Sequence, residues 1–382
     1  MTRNSNTVLT AFQLSPRLVG GIEAYASELS KQLGTLGWES ILVFPSEPTG
    51  RVRPLFDLPN VRVEVIDGCG TLSRQSFVRM SRLLAEVRPR FIHLLFMDAR
   101  CGYPWLAKWH SVERVFVTDQ ISRPIGYRVA PTPRWKRPLK RLIHHPVDRI
   151  FCVSEFVGRC VRATSTVGRN KVEVIYNAVD ICRAEAGLAK RMEFRRRYSI
   201  PDDRVVVLQA SWLVPEKGID HLLRAAQEVV SRCRDVHFVL AGDGQSRREY
   251  EEMAETLEIA DHVTFTGLVE APLDDGLFAA CDIVCQISQW EEAFGYVIAE
   301  AMASRRPVIG TRVGGIPELV HDGESGFLVE RGDYRALAGR ILQLAEDSDL
   351  RESMGNAGSE ICRRKFDLTR NVAQLINHYG IG

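Results

Sequence analysis

The sequence predicts an α/β protein of two doubly wound domains, and three observations carry that prediction. Short apolar runs alternate with longer helical patterns from end to end, the pattern of parallel strands covered by helices on both faces. Two such series can be traced, separated by a polar stretch near residue 180. The length of 382 residues exceeds one ordinary core and suits two domains, and a hydrophobic content of 45% supplies apolar surface for both.

Taken in order, the first series has candidate strands at 7–12, 40–44, 61–66, 91–96, 114–118, 150–153 and 172–176. Helical stretches such as 22–36 and 73–87 separate them. The second series has strands at 205–210, 236–241, 263–266, 283–286, 307–310 and 327–329, with helices such as 219–230 between. Residues 177–180 and the charged stretch to 197 read as a crossing between domains, so the expected division is 1–180 and 181–365, both of ordinary domain size. Residues 366–379 read as a final helix. No internal repeat or low-complexity segment is present.

Composition excludes several classes of function. A formal net charge of +2 provides no global attraction to nucleic acid or membrane, so any basic patch is local. Nine cysteines without CxxC pairs argue for reduced thiols in a cytoplasmic protein rather than a disulfide scaffold, with Cys281 and Cys285 as buried strand residues. The polar start Met1-Thr-Arg-Asn-Ser-Asn6 has no apolar signal core, and no run approaches the length that spans a bilayer. Neither a Gly-x-Ser-x-Gly elbow nor a His-rich metal cluster is found, which is consistent with the expectation of no metal and no cofactor.

The stretch Glu292-Ala-Phe-Gly-Tyr-Val-Ile-Ala-Glu300 is the most informative part of the chain. Eight steps along a helix rotate a side chain by roughly 80° beyond two full turns, so two helical glutamates would point apart. Glu292 is therefore expected before the helix, at a turn through Gly295, and Glu300 within its first turns. Backbone N–H groups and the positive end of a helix dipole can face a diphosphate, while carboxylates accept hydrogen bonds from hydroxyls on either side of it. That chemistry suits a nucleotide sugar. A second element, Ser211-Trp-Leu-Val-Pro-Glu-Lys-Gly218, follows the first strand of the second series and places Lys217 in a loop at a strand's carboxyl end, where an ammonium can act as a point charge for phosphate.

The segment continues through Pro307-Val-Ile-Gly310 and Gly314-Gly-Ile-Pro-Glu318. Glutamate pair, Pro-Val strand and Gly-Gly-x-Pro-Glu turn together resemble the retaining nucleotide-sugar glycosyltransferases of family four. The resemblance implies the GT-B architecture, two Rossmann-like domains facing a cleft, with the donor held mainly by the C-terminal domain and the acceptor by the N-terminal one. It also implies that the helix at 366–382 crosses back to the first domain. Glu300 is then expected to hold the ribose hydroxyls and Glu292 to engage and orient the donor sugar, helped by backbone amides at Phe294, Gly295, Tyr296 and Val297.

Lys217 matches the lysine of the family's Gly-Arg-Leu-x-x-x-Lys-Gly element, but Trp212 stands where relatives have the diphosphate-binding arginine and Ser211 replaces the glycine. Losing a bidentate cation costs on the order of a few kcal/mol of transition-state stabilisation unless another donor substitutes. Arg17, in the loop Ser15-Pro-Arg-Leu-Val-Gly-Gly-Ile-Glu23, or another loop cation is the expected replacement. Gly20 and Gly21 precede the first helix and are similar to the family's Gly-Gly-x-Glu loop beside the donor phosphates. Gly242 and Gly244 match a family Gly-x-Gly turn that shapes the cleft floor, and Leu268 stands where relatives read the base through backbone groups. Where relatives often carry a histidine, this chain has Asp119-Gln120, so Asp119 is the candidate for orienting a sugar or acceptor hydroxyl, with a capping or turn role as the alternative. Asp98 is a weaker acceptor-side candidate.

The segment 123–149 mixes Arg128, Arg134, Lys136, Arg137, Lys140 and Arg141 with Tyr127 and Trp135, opposed only by Asp148. Such a mixture can rest peripherally on the anionic inner membrane surface or meet a phosphate-bearing acceptor, although no clear amphipathic period marks it and a solvated face is the simpler reading. The expected activity is metal-independent retaining transfer of a sugar, from a UDP-sugar first and a GDP-sugar next, to a hydroxyl acceptor. A nucleotide-sugar epimerase or hydrolase on the same fold, or a weakened donor-binding subunit, are the alternatives. No nucleic-acid partner is expected, and base, acceptor and oligomeric state are unreadable from sequence.

Overall fold

The computed structural model describes residues 5–164 and 166–381. The chain forms two compact units. One contains residues up to Ile121, Arg128–Asn177 and the chain from Leu368 on; the other contains Ser122–Tyr127 and Ala178–Asp367.

The first unit carries β1 (Ser5–Phe12), β2 (Glu39–Phe44), β3 (Val61–Val65), β4 (Pro89–Leu95), β5 (Arg114–Asp119), β6 (Arg149–Cys152) and β7 (Val172–Val174). Its helices are α1 (Gly21–Thr35), α2 (Arg74–Val87), α3 (Tyr103–Trp109), α4 (Arg137–His144) and α5 (Glu155–Thr164). The strands form one seven-stranded sheet in the order β3-β2-β1-β4-β5-β6-β7, with parallel pairing throughout. Strands such as β2 read as continuous apolar runs because helices cover both faces of a parallel sheet.

The second unit carries α6 (Ile181–Gly187), α7 (Arg191–Arg197), β8 (Val205–Ala210), α8 (Ile219–Arg232), β9 (Val236–Ala241), α9 (Arg247–Thr256), β10 (Val263–Gly267) and β11 (Ile283–Gln286). Then follow α10 (Tyr296–Ala303), β12 (Val308–Thr311), α11 (Ile316–Leu319), β13 (Gly326–Val329), α12 (Tyr334–Glu346) and α13 (Ser348–Lys365). Its six strands run β10-β9-β8-β11-β12-β13, again all parallel. Leu222, Leu223 and Val229 of α8 and Leu337 and Ile341 of α12 pack with Phe238 and Ile309 of the sheet into a dry core. Both strand orders reverse direction once, between β1 and β4 and between β8 and β11. Ligands of doubly wound sheets bind outside the carboxyl ends of the strands at such reversals.

The last helix, α14 (Leu368–Tyr379), belongs to the first unit. Tyr379 is buried there, its hydroxyl 2.6 Å from His93 Nδ1, while His93 Nε2 lies 2.6 Å from Thr118 Oγ1. Burial pushes the His93 imidazole down to about 3, so the network is neutral and satisfied rather than charged.

Two parts of the chain differ from the expectation. Residues 181–197, read as a charged crossing, form α6 and α7, because their arginines find partners remote in sequence. Arg183 pairs with Asp274 at 2.5 Å, and the fully buried Arg195 donates to Ala280 O at 2.8 Å and to Asp282 Oδ2 at 2.9 Å. The boundary also falls differently: Ser122–Tyr127, expected in the first domain, joins the second unit. Arg123 and Glu291 exchange backbone hydrogen bonds of 2.9 and 3.0 Å, a two-residue antiparallel bridge that holds the segment there.

Candidate functional site

The reversal in the second sheet brings two loops together. β8 pairs with β11 through Val207 opposite Ile283 and Leu208 opposite Val284, so the segments after them, 211–218 and 287–295, are neighbours. Gln289 N–H donates to Glu216 O at 2.7 Å and joins the two segments, while the Gln209 Nε2 of β8 donates to Lys217 O at 2.8 Å and holds the first. Gly218 makes the approach feasible. It caps α8 in the left-handed region (φ 67°), and a Cβ at that position would lie 2.1 Å from Ile287 O.

The outcome is a buried ion pair. Lys217 Nζ donates to Glu292 Oε1 at 2.6 Å, and Ser122 Oγ donates to Glu292 Oε2 at 3.1 Å. Burial alone would raise the Glu292 carboxyl, but the Lys217 charge and hydrogen bonds from Lys217, Ser288 and Ser122 outweigh it and hold the group below its ordinary range. Glu292 precedes Gly295, the N-terminal cap of α10, while Glu300 is a buried residue inside the helix. Ile298 and Ala299 N–H both donate to Gly295 O, so the amides of Gly295, Tyr296 and Val297 precede the helix's own ladder at its positive end. The Phe294 ring is buried against Tyr296 and Phe366, at centroid distances of 5.6 and 5.4 Å, so Phe294 anchors the turn.

The Gly-Gly-x-Pro-Glu turn supports this segment from behind. Gly314 N–H donates to Glu291 Oε2 and Gly315 N–H to Glu292 O, both at 2.8 Å, and Arg331 holds the other oxygen of Glu291. Gly314 has φ 55°, and a Cβ there would sit 2.1 Å from Glu292 O. Gly314→Ala should therefore destabilise the protein by about 2–4 kcal/mol through strain and displacement of the Glu292 backbone. Urea unfolding reads this directly; a loss below about 0.5 kcal/mol, the range of ordinary surface changes, would show that the turn does not clamp the segment.

The remaining candidates lie at defined places. Gly242 follows β9, its N–H donates to Gly267 O at 2.9 Å, and a Cβ on it would meet Ser211 O at 1.9 Å; it shapes the loop after β8. Gly244 presses in the same way on Leu213. Leu268 is exposed after β10, and Trp212 is exposed after β8. In the first unit, Gly20 caps α1 and Gly21 begins it. The Glu23 carboxyl turns back to accept from the Gly20 and Glu23 N–H groups, and burial pushes it up to about 7 against their pull. Arg17 is exposed, its carbonyl accepting from Thr49 Oγ1 at 3.3 Å. Asp119 ends β5 and its Oδ1 accepts from Ile121 N–H at 3.1 Å, a turn-forming contact; Asp98 caps the 3-10 turn Ala99–Cys101 in the same manner. Buried Gln120 keeps its Oε1 without a hydrogen-bond partner among the described residues.

Ser122, Glu291 and Arg331 were not foreseen. Ser122 and Arg331 reach the site only through tertiary structure, and the one available signal was the adjacency of Glu291 to Glu292. Among the described residues no group of three or more His, Cys, Asp or Glu could hold a metal ion.

Two Rossmann-like units, one with a lysine and a carboxylate paired at the carboxyl edge of its sheet beside a helix N-terminus, are the architecture of the GT-B class. Residues 190–361 match the model of glycosyl transferases group 1 and residues 19–183 that of glycosyltransferase family 4. The chain is 30% identical over 292 residues, 74% of each chain, to a GDP-mannose-dependent alpha-(1-6)-phosphatidylinositol monomannoside mannosyltransferase of Mycobacterium tuberculosis. It is 27% identical over 378 residues, 94% of each chain, to the N-acetyl-alpha-D-glucosaminyl L-malate synthase of Bacillus anthracis. Its fold is that of the Anabaena protein HepE in complex with UDP and glucose, with a TM-score of 0.78 at 19% identity over 98% of this chain and 99% of that one. The chain belongs to the family-four glycosyltransferases and is an enzyme of that kind.

Proposed function

We propose that the protein is a retaining, metal-independent hexosyltransferase that moves a sugar from a nucleoside diphosphate to a hydroxyl acceptor, with a UDP-sugar as the first donor to try and a GDP-sugar the next. The observation that carries the reading is the Lys217–Glu292 pair at the carboxyl ends of β8 and β11, beside the amide-bearing end of α10. Relatives named for mannosyl and N-acetylglucosaminyl transfer support hexose as the group moved.

In this reading Glu292 accepts hydrogen bonds from donor-sugar hydroxyls and Glu300 from the ribose, while Lys217 and the amides of Gly295 to Val297 stabilise the departing diphosphate. The acceptor oxygen forms its bond to the anomeric carbon on the face from which the phosphate oxygen leaves, and its proton passes to that phosphate oxygen. No side chain is required as nucleophile. Leu268 contacts the base through its backbone, and Gly20 and Gly21 contribute the α1 end. Asp119 orients a hydroxyl on the acceptor side, which is assigned to the first unit. We assign the activity to the cytoplasm, with peripheral contact at the inner membrane face. No helix among the described residues is long and apolar enough to cross a membrane.

Arg17 is proposed to supply the charge that Trp212 lacks. Arg17→Ala should lower kcat/KM by about tenfold to a hundredfold, as the loss of one charge-assisted phosphate contact does. The same change at the exposed helix residue Arg248 is the control, and equal effects would remove the assignment.

Thermal shifts with UDP-, GDP-, ADP- and TDP-sugars identify the donor, because a ligand that binds only the folded state raises Tm. Anomer-resolved NMR of the products then tests transfer. Retained configuration with release only when acceptor is present supports the proposal; release without acceptor indicates a hydrolase, and binding without any release indicates a donor-binding subunit.

A further inference from the structure

We propose that the face of the first unit made by α3 and α4 is a docking surface for an anionic lipid bilayer. Trp135, Leu139 and Leu142 follow at i, i+4 and i+7 across the 3-10 turn Arg134–Lys136 and α4, and they are 77%, 63% and 58% exposed. α4 has no buried residue at all, so this stripe contributes nothing to the core. On α3, Trp105 and Trp109 stand one turn apart, 42% and 84% exposed. The two groups are joined: Trp105 Nε1 donates to Leu142 O at 3.2 Å and its ring stacks on His145 at 5.9 Å.

Charge determines the occupant. Arg134, Lys136, Arg137 and Arg141 are exposed around the stripe, with Lys136 Nζ 4.7 Å from the Trp135 ring centre. The nearby carboxylates are already paired, Asp98 with Arg100 and Asp148 with Lys108, each at 2.9 Å. Indoles and leucines among cations match the headgroup region of a membrane, where apolar side chains enter the acyl boundary and Lys and Arg meet anionic lipid. A second copy of this chain would set the same cations against one another. Leu139 and Leu142 offer nothing to a polyanion such as RNA. The surface makes the inner-face location specific and shares no residue with the donor assignment.

The test uses the intact chain in flotation with phosphatidylcholine vesicles, with and without phosphatidylglycerol, and follows indole emission. Expected are binding to the anionic vesicles alone, weakening with salt, and a blue shift. Each neutralised cation is worth about fivefold in partitioning, so the double change Arg134→Gln, Arg141→Gln should weaken it about 25-fold. Trp109→Ser with Trp135→Ser should remove most of the blue shift and weaken flotation while Tm and the far-UV circular dichroism stay unchanged, which confirms folding without reference to the donor reading. No flotation at low salt would overturn the proposal. So would a concentration-dependent dimer that Leu139→Ser dissolves, since the face would then belong to a second copy.

Discussion

Glu292→Gln is expected to lower kcat/KM by about 10²–10³-fold, the loss that follows removal of one preorganised electrostatic contact to the reacting group. It should also lower stability. Glu292 is buried, with Lys217 at 2.6 Å as its counter-charge, and the neutral amide leaves that ammonium half-buried without one. Breaking a buried pair costs about 3–5 kcal/mol, and the partial exposure of Lys217 reduces this to about 2–3 kcal/mol. A double-mutant cycle separates the two effects. Lys217→Met with Glu292→Gln should be less destabilised than the sum of the single changes, while activity stays at or below that of either. Additive losses in Tm would mean that the pair is not coupled. Because the Glu292 carboxyl is depressed, its stabilisation is present above the unfolded value of 4.5 and is lost as pH falls through the lower folded value.

Glu23 should produce the opposite dependence. Its carboxyl keeps a proton to about pH 7 in the folded chain and to 4.5 in the unfolded one. Between those values the folded state binds more protons, so stability is complete below 4.5 and falls as pH rises toward 7, by on the order of 3 kcal/mol. Glu23→Gln retains an oxygen for the Gly20 N–H and removes the proton. The variant should therefore show a flat profile over this window and be the more stable protein at pH 8. Denaturant unfolding at pH 5, 6, 7 and 8 measures the slope, and identical slopes for both proteins would show that Glu23 does not titrate there.

Most of the fold was legible because parallel strands are buried on both faces and stand out as apolar runs between helical patterns. The glutamate pair was legible for a geometric reason: eight helical steps separate two side chains, so one had to precede α10, as Glu292 does. Other features depend on partners that no local pattern announces. Arg183, Arg191 and Arg195 of α6 and α7 read as part of a solvated linker, but they pair with Asp274 and Asp282 some ninety positions away. Ser122 reaches Glu292 across 170 positions and Arg331 reaches Glu291 across 40. The apolar stripe of α4 has only three residues, too few to mark a face in the sequence, and it is completed by indoles of α3, one of which bonds to it across 37 positions.

The excursion of Ser122–Tyr127 into the second unit bears on how this enzyme can be recombined. The chain passes from one unit to the other four times, at 121/122, 127/128, 177/178 and 367/368, so no single cut separates them. A chimera that joins the first 177 residues of one parent to the remainder of another would present a foreign residue at 122 to the native Glu292 and a foreign strand partner at 123 to Glu291. Grafts of the second unit should therefore carry 122–127 together with 178–367 from the same parent. The six-residue loop is inherited with the Lys217–Glu292 pair, although its sequence position assigns it to the other half.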